Sequence, residues 1–128
     1  MSDLRPVGVP VIIDGVERRF LFTLNAIDEI QEHYNAPLAE IINKLMDKSS
    51  AVKALRYLTY ALLEDEKQRK TAVGEKLRQY SEKEVGWLIT TENEKEILLA
   101  VLKAYGLALP EGDEEDSDPN QMSGTTEK

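Results

Sequence analysis

Cysteine is missing from all 128 residues, and histidine and tryptophan occur once each. Without cysteine neither a disulfide nor a thiolate metal site can form, a composition compatible with a reducing compartment. The lone histidine, His33, cannot by itself meet zinc's need for three or four convergent ligands, so it reads as a surface side chain. Long apolar runs are missing as well. Nothing approaches the about 20 residues needed to cross a bilayer, and the opening Met-Ser-Asp-Leu-Arg has no signal-peptide core. The expectation is a soluble protein that works inside the cell that makes it.

Other absences narrow the chemistry. Gly106 and Gly112 lack the spacing and the lysine of a phosphate loop. The carboxylates from Asp113 to Asp118 lack the ligand spacing and terminal bidentate glutamate of a calcium loop, and read as a solvated run. Ser49, Ser50 and Ser81 have no histidine partner by pattern and stand where helix caps are expected. No carboxylate pair stands out for acid-base work. A clustered basic face is also lacking: Arg56, Lys67, Arg69, Lys70, Lys76 and Arg78 are interleaved with Glu64, Asp65, Glu66 and Glu75. That pattern is a solvated surface, and it argues against a nucleic-acid groove. The residues therefore imply no catalytic site, no metal, no cofactor, no nucleic acid and no membrane partner, and the expectation is a protein that is not an enzyme.

What is present is patterned for folding. The net charge is −8, and residues 111–128 hold seven acidic residues against one basic, which leaves residues 1–110 nearly neutral. That segment has Met122 as its only large apolar side chain, so ordering it would cost about 1–2 kcal/mol per residue with almost nothing to offset the loss. The pattern predicts a disordered acidic tail over 111–128 and a single folded domain over 1–110, with a hairpin in 9–22 and helices within 24–106. The 41% hydrophobic content suffices for one modest core.

The stretch from Val9 to Tyr34 organises that domain. Val9, Val11 and Ile13 alternate toward one face, and Asp14-Gly15 accepts the positive φ angles of a tight hairpin turn. The register then sets Ile13 opposite Val16, Val11 opposite Arg18 and Val9 opposite Phe20. One face collects Val9, Val11, Ile13, Val16, Phe20 and Phe22 with Arg18 among them, and Pro10 suits an edge strand. A lone hairpin is marginal in water, so the face needs a cover, and the helix that follows is the obvious one. Thr23 or Asn25 can cap that helix: Thr23 lets Phe22 staple onto Ile27, whereas Asn25 puts Asp28 and Glu29 in the first turn. Ile27, Ile30 and Tyr34 share its buried stripe, and Asn35 is a left-handed stop before Pro37.

Further helices follow. Leu38, Ile41, Ile42, Leu45 and Met46 form one stripe over 37–47. From Ala51 to about Glu66, Val52, Leu55, Leu58, Ala61 and Leu62 make a face that Tyr57, Tyr60 and Leu63 widen, as for a central helix packed on two sides. Residues 67–80 weaken into a loop or a poorly packed turn. Ser81 with Glu84 and Thr91 with Glu94 are capping boxes. The first opens a short helix bearing Val85, Trp87, Leu88 and Ile89. The second opens a last helix in which Ile97, Leu98, Val101, Leu102 and Tyr105 repeat and Gly106 is the stop. Tyr57, Tyr60, Tyr80 and Trp87 are residue types that suit a core, a partner surface or self-association. The fold class expected is α+β, mainly α: an N-terminal β-hairpin followed by a small bundle of four to five helices.

Three segments carry a resemblance: Val11-Ile12-Ile13-Asp14-Gly15, Phe20 through Ile30, and Pro37-Leu38-Ala39-Glu40. Together with the short helix from Ser81 to Ile89, they resemble the tail assembly chaperones of long-tailed bacteriophages and related prophages, over roughly Val9 to Leu109. The resemblance implies a chaperone of virion assembly in the host bacterial cytoplasm, absent from the mature virion. Its partners would be the tape measure protein, which it binds, and the tail tube protein, which it helps recruit. Many members have a longer frameshifted form, and on that pattern this chain is the short form. Self-association is a further expectation. The surface expected to meet client or self is the wide arc of the third helix with the final helix: Leu55, Tyr57, Leu58, Tyr60, Leu63, Val101 and Tyr105. A small regulatory or adaptor protein with one cellular partner fits the same composition, and gene neighbourhood distinguishes the two.

Overall fold

The computed structural model describes residues 7–109. The acidic segment and its calcium-like run lie outside the described residues. A two-stranded antiparallel hairpin, β1 (Val9–Ile13) and β2 (Val16–Phe20), precedes α1 (Leu24–Tyr34), α2 (Leu38–Asn43), α3 (Ala51–Ala72), α4 (Glu82–Leu88) and α5 (Glu94–Ala108). The architecture is the expected one: a hairpin carrying five helices, mostly α. The hairpin register is also as expected, with Val9 opposite Phe20, Val11 opposite Arg18 and Ile13 opposite Val16. Asp14 and Gly15 take φ values of 57° and 76°, the paired positive angles that keep a two-residue turn in line with the strand twist.

The cover over the hairpin is not the expected one. α3 packs on β2 and α5 packs on both strands, while α1 packs chiefly on α2 and α3. Val9, Val11, Ile13 and Phe20 are buried beneath that cover, whereas Val16, expected on the same face, is about half exposed at the turn end. Arg18 takes the buried place on β2 instead. Its Nε donates to Glu66 Oε1 of α3 at 2.7 Å and its Nη2 donates to the Leu63 carbonyl at 3.2 Å, so the guanidinium is tied to the central helix at two points. Phe20, Ile13, Ile30, Ile41, Leu58, Leu62, Val85, Ile97 and Val101 form the centre of the core. Burying each large apolar side chain contributes about 1.5–3 kcal/mol. A surface pair such as Arg19 with Glu17 adds about 0–1 kcal/mol, so the apolar layer holds the fold.

Local signals set most helix ends. Thr23, one of the two candidates, is the N-cap of α1: its side chain accepts from the Ala26 amide, and its hydroxyl donates to Asp65 Oδ1 of α3. Asn35 closes α1 in the left-handed region, as expected. The second helix is shorter than its stripe, since α2 tightens into a 3₁₀ turn over Lys44–Met46, which leaves Met46 on the surface. The third runs beyond Glu66 to Ala72. Ion pairs one turn apart, such as Arg69 with Asp65, hold the extra turns without an apolar stripe. The stop is Gly74: Glu75 N–H donates to the Lys70 carbonyl and Gly74 N–H to Thr71, the bonding of a left-handed glycine cap at φ 88°.

The Ser81–Glu84 capping box forms, each side chain bonding the other residue's amide. The Thr91–Glu94 box does not. Thr90 and Asn93 make the reciprocal pair one position earlier, and Asn93 also donates from Nδ2 to the Leu88 carbonyl, which joins α4 to α5. α5 then passes through Gly106, expected to stop it, and ends after Ala108.

Removing one member of a buried ion pair strands the other charge, a loss of about 3–5 kcal/mol. Glu66→Ala should lower unfolding stability in urea by that order, and Arg18→Met/Glu66→Leu should be more stable than Glu66→Ala. Equal midpoints for wild type and Glu66→Ala would show that the pair does not anchor the hairpin.

Candidate interaction surface

The residues expected to meet a client divide by burial. Leu55, Leu58 and Leu63 of α3 and Val101 of α5 are buried in the core, so they hold the helices together and offer no area to another molecule. Tyr57 is also buried, Tyr60 and Tyr105 are half-buried, and Tyr105 meets the Phe22 ring edge-on at 6.4 Å. Tyr80 is buried at the turn end of the hairpin, where its hydroxyl donates to Asp14 Oδ2 at 2.8 Å. α3 is enclosed on most sides, which accounts for its wide apolar arc.

An aromatic cluster lies where α1 meets α3. His33 stacks on Tyr57, with ring centroids 3.8 Å apart and planes 10° from parallel, and Tyr34 stands edge-on to both. Tyr60 flanks Tyr57 at 6.1 Å. The lone histidine is therefore an exposed ring held against a tyrosine. Beside it a groove of about 200 Å³ runs between the two helices, lined by Tyr57 and Tyr60 together with Asp28, Glu29 and Glu64.

Burial, and then the charge of Glu29, push the Tyr57 phenol up to about 12. Tyr60 is raised by burial and then by Glu64, and Tyr34 by burial and then by Glu82, with Arg56 opposing. These hydroxyls remain neutral at physiological pH, where they can donate hydrogen bonds but cannot serve as anionic nucleophiles. Among the described residues no three His, Cys, Asp or Glu side chains are grouped so as to hold a metal ion. No helix among them is long and apolar enough to cross a membrane.

The apolar exterior lies elsewhere. Leu24 is 85% exposed, Val52 73% and Trp87 71%, and Ile12, Met46, Leu99 and Leu107 are each more than half exposed. Val52 sits one turn before Arg56 on α3. The Arg56 side chain runs beneath Gly86 and pairs with Glu82, which closes a seam between α3 and α4, and Val52 and Trp87 are exposed positions of the two helices that this seam joins. Sequence reasoning placed Val52 with the packed residues, left Trp87 open between core, partner surface and self-association, and did not assign Leu99. A signal for Leu99 existed: it is apolar yet falls off the stripe of Ile97, Leu98, Val101, Leu102 and Tyr105.

Above pH 10 the unfolded tyrosine loses its proton while folded Tyr57 keeps it until about 12, so raising the pH through that window favours unfolding. Tyr57→Phe keeps the ring and removes the ionisable hydroxyl. Thermal midpoints should fall less steeply for Tyr57→Phe than for wild type between pH 10 and 12. Parallel curves would show that the phenol is not held neutral by the fold.

Compared with known proteins, the chain matches no family model, no curated protein and no solved structure.

Proposed function

We propose that the chain is a tail assembly chaperone of a long-tailed bacteriophage or prophage, in its short form, which holds the tape measure protein during virion assembly and helps bring tail tube subunits to it. One observation carries the reading. A domain with a closed core still exposes Leu24, Val52 and Trp87 by more than two thirds, and exposed tryptophan is a residue type that anchors protein contacts. A protein that shields apolar helices of a client uses such a surface, in the mode where an amphipathic helix lies in a groove. The surplus of carboxylates in 111–128 suits the same task, because a negative segment keeps a sticky complex in solution.

The proposed client surface is the α3–α4 seam around Val52 and Trp87, in place of the interior of α3. The host bacterial cytoplasm, where tails are assembled, is the compartment that follows from this reading.

Tagged chain and the tape measure protein of the same genome, produced together, should co-purify. Val52→Asp/Trp87→Ser should cut the recovered client by about tenfold, as the loss of a contact centre would. Its far-ultraviolet circular dichroism should stay unchanged because both positions are exposed. Failure of the unaltered chain to retain the tape measure protein would end the reading. In the nucleotide sequence, a slippery heptamer near the last codons, an overlapping frame and then a very long gene are the expected neighbours.

A further inference from the structure

Between the free edge of β1 and α5 lies a groove of about 420 Å³ whose walls include Pro10, Ile12, Glu17, Glu96, Leu99 and Lys103. Ile12 and Leu99 are each 55% exposed there. In a two-residue hairpin with this register, Val9, Val11 and Ile13 exchange backbone bonds with β2, so Pro10 and Ile12 turn their backbone groups outward. Pro10 has no N–H to offer, which disfavours a continued strand ladder and leaves side-chain docking as the way to cover the groove.

Charge runs along the groove in one direction. The Phe22–Tyr105 contact puts the C-terminal end of α5 near the open end of the hairpin, where β2 finishes. Lys103 therefore lies toward the open end and Glu96 toward the turn end, beside Glu17, which faces Ile12 across the ladder. Seven residues of helix span about 10 Å, close to the reach of the strand from Val9 to Ile12. Glu17 is already paired with Arg19. Among the described residues, neither Glu96 nor Lys103 has an ion-pair partner.

A surface that is acidic at one end, basic at the other and apolar between is complementary to its own copy turned through a two-fold axis. We propose that two copies of this chain dock groove to groove across such an axis, with Ile12 and Leu99 of each in apolar contact and Glu96 of one facing Lys103 of the other. The parallel alternative would set like charges together. Because residues 1–110 are nearly neutral, long-range repulsion between the two folded parts is small. The face is distinct from the Val52 and Trp87 seam, so the proposal stands or falls apart from the client reading.

The test is sedimentation velocity of the full chain over a wide concentration range at physiological salt, with circular dichroism as the check on folding. Wild type should pass from a 14.5 kDa monomer to a dimer. Leu99→Lys should remain monomeric. Lys103→Glu and Glu96→Lys should each raise the concentration of half-association by roughly tenfold or more, as like charges placed face to face do. An equal mixture of those two variants should dimerise again, since each supplies the charges the other lacks. A wild type that stays monomeric throughout overturns the proposal, including one whose groove is then found to take another protein's segment. So do single variants that associate like wild type, or a mixture that shows no recovery.

Discussion

The Arg18–Glu66 pair is the constraint on which the arrangement turns. A two-stranded hairpin has too little surface to stand alone, and here an arginine occupies the middle of its inner face. Its charge can be buried only against a fixed counter-charge, and the carboxylate that meets it is 48 residues away on α3. That distance dictates much of the remaining packing. α3 must lie across β2, which leaves β1 for α5 and moves α1 outward onto α2 and α3. Thr23 strengthens the arrangement because its hydroxyl reaches Asp65, the neighbour of Glu66, so strand end, helix start and central helix meet at one point.

Features that depend on neighbours in the chain were legible from the residues. Asp14-Gly15 can do little other than turn, Asn35 tolerates the left-handed region, and Ser81 with Glu84 satisfies two helix-end amides reciprocally. Thr23 and Asn25 remained open because both satisfy the same local rule, and a long-range bond to Asp65 accompanies the one that forms. The end of α3 was missed for a related reason. Apolar periodicity fades after Glu66 while charge pairs continue the helix, and Gly74, inside the stretch expected to weaken into a loop or a poorly packed turn, is its cap. The cover over the hairpin was illegible because Arg18 looked like an exception to an apolar face, and its partner cannot be identified by spacing.

The surface was harder to read than the fold. When a helix is apolar nearly all round, periodicity says that it is central without saying which few positions stay outside. On α3 the core takes Leu55, Tyr57, Leu58 and Leu63, and solvent keeps Val52. Trp87, two positions after the fully buried Val85, points away from the core simply because the helix turns about 200° over that interval. Apolar residues that fall off a stripe were the better guide to an outward face, as Leu99 illustrates. The aromatic cluster had no such signal, since nothing in the spacing brings His33 of α1 over Tyr57 of α3.

The placement of Trp87 has an optical consequence. It is the only indole in the chain, and it stands largely in water while the core forms without it. Its emission is therefore that of a hydrated chromophore before and after unfolding, and it is a poor gauge of the folded fraction. The same isolation makes it a sensitive one for anything that settles over the α3–α4 seam, because a blue shift there reports the displacement of solvent from a single known position.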